Sequence, residues 1–310
     1  MDKSPNNPAG NKLGPSVNES NLVRAIQSSG YPLQGVIAGK LKEGFGVTEE
    51  WGYIDRETKE HRSLDIFAFK MMPADGNVQA ALVLLIECKR SINPYVFFRN
   101  VTDREIPGFP KIGGLTANSM FLSALNGNRL LQTSGAVLLG LPELPFVRPG
   151  PPHCSAFGMA TAQGDKVHMS GEDPYKSLIL PLTKAIDHAA SLYQAREKPS
   201  FLVATLILGI GVLDAPILVV NNPREPTPLL TPWVRVPRQE ARPDRSWGQH
   251  VYYVIEVVHS DFFDAFVLDH LVPFFNEFAA RVKRQSSVLL RGGTVGNIDK
   301  WRWDEVKPKS

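Results

Sequence analysis

The polar and apolar positions change period several times along the chain. Two early segments, NESNLVRAIQSSG (18–30) and PLQGVIAGKLKEG (32–44), read as helices. In the second, Val36, Ile37, Lys40 and Leu41 form a stripe at helical spacing, Pro32 suits the first turn, and Gly44 suits the stop. FGVTEEWGYIDRETKEHRSLDIFAFKMM then gives a short strand, a polar excursion and a second strand, SLDIFAFKMM. PADGN (73–77) is a turn whose Asp-Gly pair is typical of hairpins. After it, AALVLLIECKRS (80–91) holds seven successive apolar residues, Ala80 to Ile86, as a strand covered on both faces would. The run ends with no turn residue in Glu87, Cys88, Lys89 and Arg90.

Residues 93–174 are rich in Pro and Gly, which predicts a long irregular insertion with short helices inside it, GLTANSMFLSALNGNRLL among them. A helix is expected over 173–196. FLVATLILGIGVLDAPILVV (201–220) has the roughly 20 residues a bilayer span needs. Its DAP sequence is turn chemistry, however, and predicts two buried strands joined by a tight connection, with no membrane span. PWVRVPRQ and VYYVIEVVHS add two strands separated by a Pro/Arg-rich loop. DFFDAFVLDHLVPFFNEFAARVKRQ is an amphipathic helix with a break expected near Pro273. No repeat of fixed period is present. The order predicts a mixed α/β layer architecture. Residues 1–17 read as a disordered lead, 18–285 as a single domain, and 286–310 as a C-terminal tail.

Composition narrows this little. The chain has 310 residues, 43% hydrophobic and 21% charged, enough for a sizeable core. A net charge of +3 permits nucleic-acid binding without requiring it. Two cysteines exclude a disulfide framework and a four-cysteine zinc site, and suggest a reduced, cytoplasmic protein. The first residues lack the apolar core of a secretory signal. The seven histidines show no ligand spacing. LILGIGVLD lacks the lysine and helix start of a phosphate loop, and LLRGGTVGN lacks a strand–helix setting, so no nucleotide cofactor is expected.

The hairpin carries the chemistry. With its turn centred on Gly76, position i faces position 152 − i, which sets Asp65 opposite Glu87. Facing side chains in an antiparallel pair stand about 4.5–5.5 Å apart at Cβ. Lys89 shares their face, while Cys88 points to the other and leaves its carbonyl near the cluster. Two close carboxylates repel unless a cation or proton intervenes. Mg²⁺ takes oxygen ligands in this way, and a nearby lysine can orient a water or stabilise charge on phosphorus. The bland alternative is an ion-pair network at a strand end.

RSLDIFAF followed by a strand ending LLIECKRS resembles the PD-(D/E)xK nuclease superfamily, and ECKRSINPYVFF resembles its Mrr-like members. The specific match covers 31–98. The resemblance implies a restriction-endonuclease-like core, a mixed central β-sheet flanked by helices, with the 93–174 insertion following the Glu-Cys-Lys strand. It implies a Mg²⁺- or Mn²⁺-dependent DNA nuclease. In it Asp65, Glu87 and the Cys88 carbonyl hold metal, and Lys89 positions the water. Many members carry a further acid in the first core helix, where this chain has Gln34. Glu19 is a candidate substitute. A catalytically degenerate module that binds nucleic acid or a protein is the competing expectation. Many such nucleases pair to cut two strands, and nothing in this sequence marks a homodimer face.

Other residues carry paired readings. Lys184 is either a solvated helix lysine or a residue near the active site. Arg90, Arg99, Arg104, Lys111 and Arg129 are either a phosphate-facing surface or scattered charges. Tyr95, Phe97 and Phe98 are core or base-stacking residues. Trp301 and Trp303 either dock the tail or mark a partner surface.

Overall fold

The computed structural model describes residues 4–99, 109–115, 120–125, 129–193, 200–241 and 250–291. Helices α1 (Glu19–Ser28) and α2 (Tyr31–Lys42) lead into β1 (Gly46–Ile54), β2 (His61–Asp75) and β3 (Val78–Arg90). Then come β4 (Tyr95–Arg99), β5 (Lys111–Gly113), β6 (Met120–Leu125), β7 (Arg129–Ser134), a short α3 (Gly135–Leu138), β8 (Cys154–Gln163) and β9 (Lys166–Ser170). The rest comprises α4 (Leu180–Leu192), β10 (Leu202–Asp214), β11 (Ile217–Val220), β12 (Pro228–Leu230), β13 (Trp233–Ala241), β14 (His250–His259), α5 (Val272–Arg284) and α6 (Ser286–Arg291).

The central sheet is mixed and runs β1-β2-β3-β10-β14-β13, with β5 also paired to β10. Its axis is β3 beside β10, parallel from Val78 against Leu202 to Arg90 against Asp214. Both strands are nearly continuous in Val, Ile and Leu because both faces are covered. Ala80, Leu82, Leu84, Ile86 and Cys88 face a core built with α2 and α5. Val83 and Leu85 face a second core built with α4. The β2–β3 hairpin follows the 152 − i register from Ile66 against Ile86 to Pro73 against Gln79, and shifts by one only at Asp75 against Val78. After β3 and β10 the chain passes at once into β4 and β11. These lie side by side in a second sheet ordered β12-β11-β4-β8-β9. The Ser91 N–H donates to the Asp214 carbonyl at 3.1 Å, where the chain leaves both strands.

Several expectations need correction. The described parts of residues 93–174 hold six strands, β4 to β9, in addition to the short helix α3 and the expected loops. The segment read as a helix, 114–131, instead supplies β6 and the first half of the antiparallel β7. The two are separated in sequence by Asn126-Gly127-Asn128, and an Asn-Gly pair favours a hairpin over a helix. In α2 the buried face is Gln34, Ile37, Ala38 and Leu41, whereas Val36 is exposed. The packed chain also passes the expected boundary at 285, since Val288 and Leu289 of α6 are buried. The break expected near Pro273 is a widened turn at 266–271, after which α5 continues. A similar turn at 175–179 precedes Pro181. Proline lacks the N–H of the regular ladder, and a widened turn absorbs the loss without ending the helix. No helix among the described residues is long and apolar enough to cross a membrane. The tail tryptophans lie outside the described residues.

One buried ion pair ties the insertion to the sheet. Arg235 on β13 is fully buried and faces Glu256 on β14, with Nε to Oε1 at 2.7 Å. Its remaining nitrogens donate to the Val147 carbonyl at 3.1 Å and the Phe146 carbonyl at 2.8 Å, and Trp233 donates to Glu256 Oε2 at 2.7 Å. Phe109 and Phe146 lie against the guanidinium at 4.4 and 5.2 Å. Removing one partner of such a pair strands a buried charge. Arg235→Met is therefore expected to lower unfolding free energy by about 3–5 kcal/mol in urea titration. Replacing Glu256 as well, with Met, should recover part of that loss.

Candidate active site

The cluster forms where the β2–β3 ladder ends. Ile66 against Ile86 is its last pair, and the same register carries Asp65 to Glu87. There β1 and β2 bend together. Leu64 and Ile66 are two residues apart, yet Leu64 packs in the α4 core and Ile66 in the α2 core, so strand alternation breaks at Asp65. β1 breaks at the matching place. Its pairing skips from Glu49 against Ile66 to Trp51 against Leu64, and the intervening Glu50 adopts φ +51°, unusual for a residue with a side chain. The bend frees the Asp65 carboxyl to reach along β3. Its Oδ2 accepts the Cys88 N–H at 2.7 Å, replacing a ladder bond.

Glu87 and Lys89 share one face of β3 and meet at 2.5 Å between Oε1 and Nζ. Glu87 is 6% exposed. Burial first, and the neighbouring Asp65 charge second, push its carboxyl up to about 7, even though Lys89 opposes both. Burial also raises Asp65, against the Cys88 N–H and the Lys89 charge. Burial alone would lower Lys89, but the Glu87 carboxylate outweighs it and holds the ammonium above its ordinary value. Cys88 lies on the opposite face in the α2 core. A strand residue projects its N–H and C=O to the same side, so the Cys88 carbonyl points toward Asp65. Gly30, between α1 and α2, approaches that carbonyl so closely that a Cβ there would sit 3.3 Å from it.

The remaining candidates fall in different places. Gln34 reaches the cluster as a donor: its Nε2 bonds Glu50 Oε1 at 3.0 Å and the Asp65 carbonyl at 3.1 Å. Both partners are acceptors, so the amide nitrogen must face them. Lys184 does not join the cluster. It pairs with Glu57 at 2.5 Å, in the turn before β2, because that side of α4 faces the β1–β2 loop. Glu19 is exposed on α1, and neither it nor Lys184 is among the groups acting on Asp65 or Glu87. Arg90 pairs with Asp214 at 2.9 Å, Arg99 is exposed at the end of β4, and Lys111 is half-buried in β5. Arg104 and the Arg129 side chain lie outside the described residues. Tyr95 and Phe97 are buried core residues, while Phe98 is half-buried. Sequence reasoning missed Glu50. Its only signal is the β1–β2 register, which sets it beside Asp65 on the side away from Glu87.

Neither family models, curated proteins nor solved structures yield a match to this chain. Fold and site together define a mixed α/β protein, its central mixed sheet flanked by helices. At the end of its hairpin it carries two half-buried or buried carboxylates and a lysine.

Glu87 sets a pH signature. Between the ordinary carboxylate value of 4.5 and about 7, the folded protein binds more protons there than the unfolded chain. Its contribution to stability therefore falls as pH rises through that window. Glu87→Gln, which cannot ionise, is expected to gain stability over the parent between pH 5 and pH 8, by up to about 3 kcal/mol. Urea unfolding at both pH values checks this, and parallel pH dependences for the two proteins would contradict it.

Proposed function

We propose that the protein is a divalent-cation-dependent hydrolase of DNA phosphodiester bonds, built on a restriction-endonuclease-like core of the Mrr-like kind. The observation that carries the reading is the meeting of Asp65, Glu87 and Lys89 at the end of β3. The donors suit Mg²⁺ or Mn²⁺: two carboxylates and the Cys88 carbonyl are all hard oxygens. The raised carboxyls of Asp65 and Glu87 mark an anionic pair short of positive charge. Among the described residues no three His, Cys, Asp or Glu side chains form a ready ligand set, so water and substrate oxygens would complete the coordination. A bound cation would neutralise the carboxylates and lower the pKa of a coordinated water.

The chain's own residues then have distinct tasks. Asp65, fixed by the Cys88 N–H, and Glu87 would hold the cation. Lys89 directs its ammonium at the water or at the charge growing on phosphorus. The water would give up a proton to solvent as its oxygen bonds to phosphorus, and the bond from phosphorus to the leaving ester oxygen would break as that oxygen takes up a proton from solvent. Both cysteines are free and buried, which fits the reduced, cytoplasmic setting we also propose.

A degenerate nucleic-acid-binding module is the second reading. The direct Lys89–Glu87 contact favours it, because it already satisfies Glu87 without a metal. Incubation with plasmid, linear and single-stranded DNA in Mg²⁺ or Mn²⁺ separates the two. Cleavage that chelator abolishes and that Asp65→Ala or Lys89→Ala reduces at least about 100-fold is expected. Metal-independent, salt-sensitive DNA binding without cleavage would favour the module.

A further inference from the structure

Glu50 is the acid that this mechanism leaves without a task. The register of β1 on β2 places it next to Asp65, and the register of β2 on β3 places Asp65 next to Glu87. Three adjacent strands thus present Glu50, Asp65 and Glu87 in a row. Their burial differs: Glu87 is buried, Asp65 half-buried, and Glu50 exposed. Glu50 therefore stands on the solvent side, from which a substrate would arrive. It is also held there. Gln34 is 6% exposed on α2 and spends its amide nitrogen on Glu50 Oε1 and on the main-chain carbonyl of Asp65. A single buried side chain thus fixes the exposed carboxylate relative to the backbone of the metal-binding acid.

We propose that Glu50, oriented by the buried Gln34 amide, is the third carboxylate of the centre formed by Asp65 and Glu87, where it orients a water bound to the cation. The inference rests on the hydrolase reading above. Mg²⁺ commonly keeps several waters and takes only one or two carboxylates directly, so a third carboxylate acts through a water. It gives Gln34 a different task from that of a neutral substitute for an acid. Gln34 is a positioning residue whose value is its two N–H donors. A glutamate there would lose both and set a negative charge against Glu50 and the Asp65 carbonyl.

The test uses the full chain and four variants, Asp65→Asn, Glu50→Gln, Glu50→Asp and Gln34→Glu. Mn²⁺ binding is measured by calorimetry, and DNA cleavage by kcat and KM. Circular dichroism melts report folding. Glu50→Gln is expected to lower kcat or Mn²⁺ affinity by about 10–100-fold with the melt unchanged, as loss of an outer carboxylate partner does. Glu50→Asp should recover part of the loss. Gln34→Glu should weaken Mn²⁺ binding, whereas a residue standing in for an acid would bind more tightly as glutamate. Glu50→Gln within about twofold of the parent, or tighter Mn²⁺ binding by Gln34→Glu, overturns the inference while leaving the hydrolase reading intact. An inert parent, or an Asp65→Asn variant as active as the parent, overturns both.

Discussion

Half-buried Asp65 and buried Glu87 lie side by side at the end of β3, and the strands around them are arranged to hold that pair. Burial disfavours the charge on both, the Asp65 carboxylate further disfavours that on Glu87, and Glu50 adds to the effect on Asp65. One lysine, about 29% exposed at its side chain, offsets part of this, yet Glu87 still titrates near neutrality. Structures tolerate such an arrangement where surrounding packing over-determines it, and functional sites are where it concentrates. Here the packing comes from β3, which is held by β2 on one side and by β10 along its whole length on the other.

That strand gives the acids their positions. Its even residues anchor one core, and Val83 and Leu85 anchor the other, so Glu87 and Lys89 cannot turn away without pulling apolar residues into water. The shared bend of β1 and β2 does the complementary work. It ends the ladder at Ile66, releases the Asp65 carboxyl to the Cys88 N–H, and brings Glu50 beside Asp65, where Gln34 on α2 bonds both. Farther away, the Arg235–Glu256 pair fastens the chain around Phe146 to the opposite edge of the sheet, which keeps the insertion attached to the core.

Much of the site was legible in the sequence for a local reason. An Asp-Gly turn followed by an unbroken apolar run fixes a short hairpin, and a hairpin register needs only arithmetic. The pairing of Asp65 with Glu87 and the turning of Cys88 to the other face follow from it. What failed depended on contacts between distant segments. The side of α4 that Lys184 occupies is set by the loop before β2, not by helical spacing. The buried face of α2 takes Gln34 and leaves Val36 outside because the helix leans on β1 to β3. Glu50 was invisible because its place depends on a non-glycine residue with positive φ, at a break that no polar–apolar pattern marks. In the insertion, helical spacing near 114–131 competed with an Asn-Gly pair, and the flanking residues pair as the antiparallel strands β6 and β7.

We propose that Asp65 and Glu87 form a cation site whose carboxylates bind protons when no cation is present. Calorimetry of Mg²⁺ binding to the metal-free protein, repeated in buffers of different ionisation enthalpy, tests it most directly. With Glu87 near 7, binding at pH 6.5 should expel a substantial fraction of a proton per ion, and that release should vanish by about pH 9. Mg²⁺ binding with no proton release at pH 6.5, or no Mg²⁺ binding at any pH, would show that Asp65 and Glu87 are not such a site.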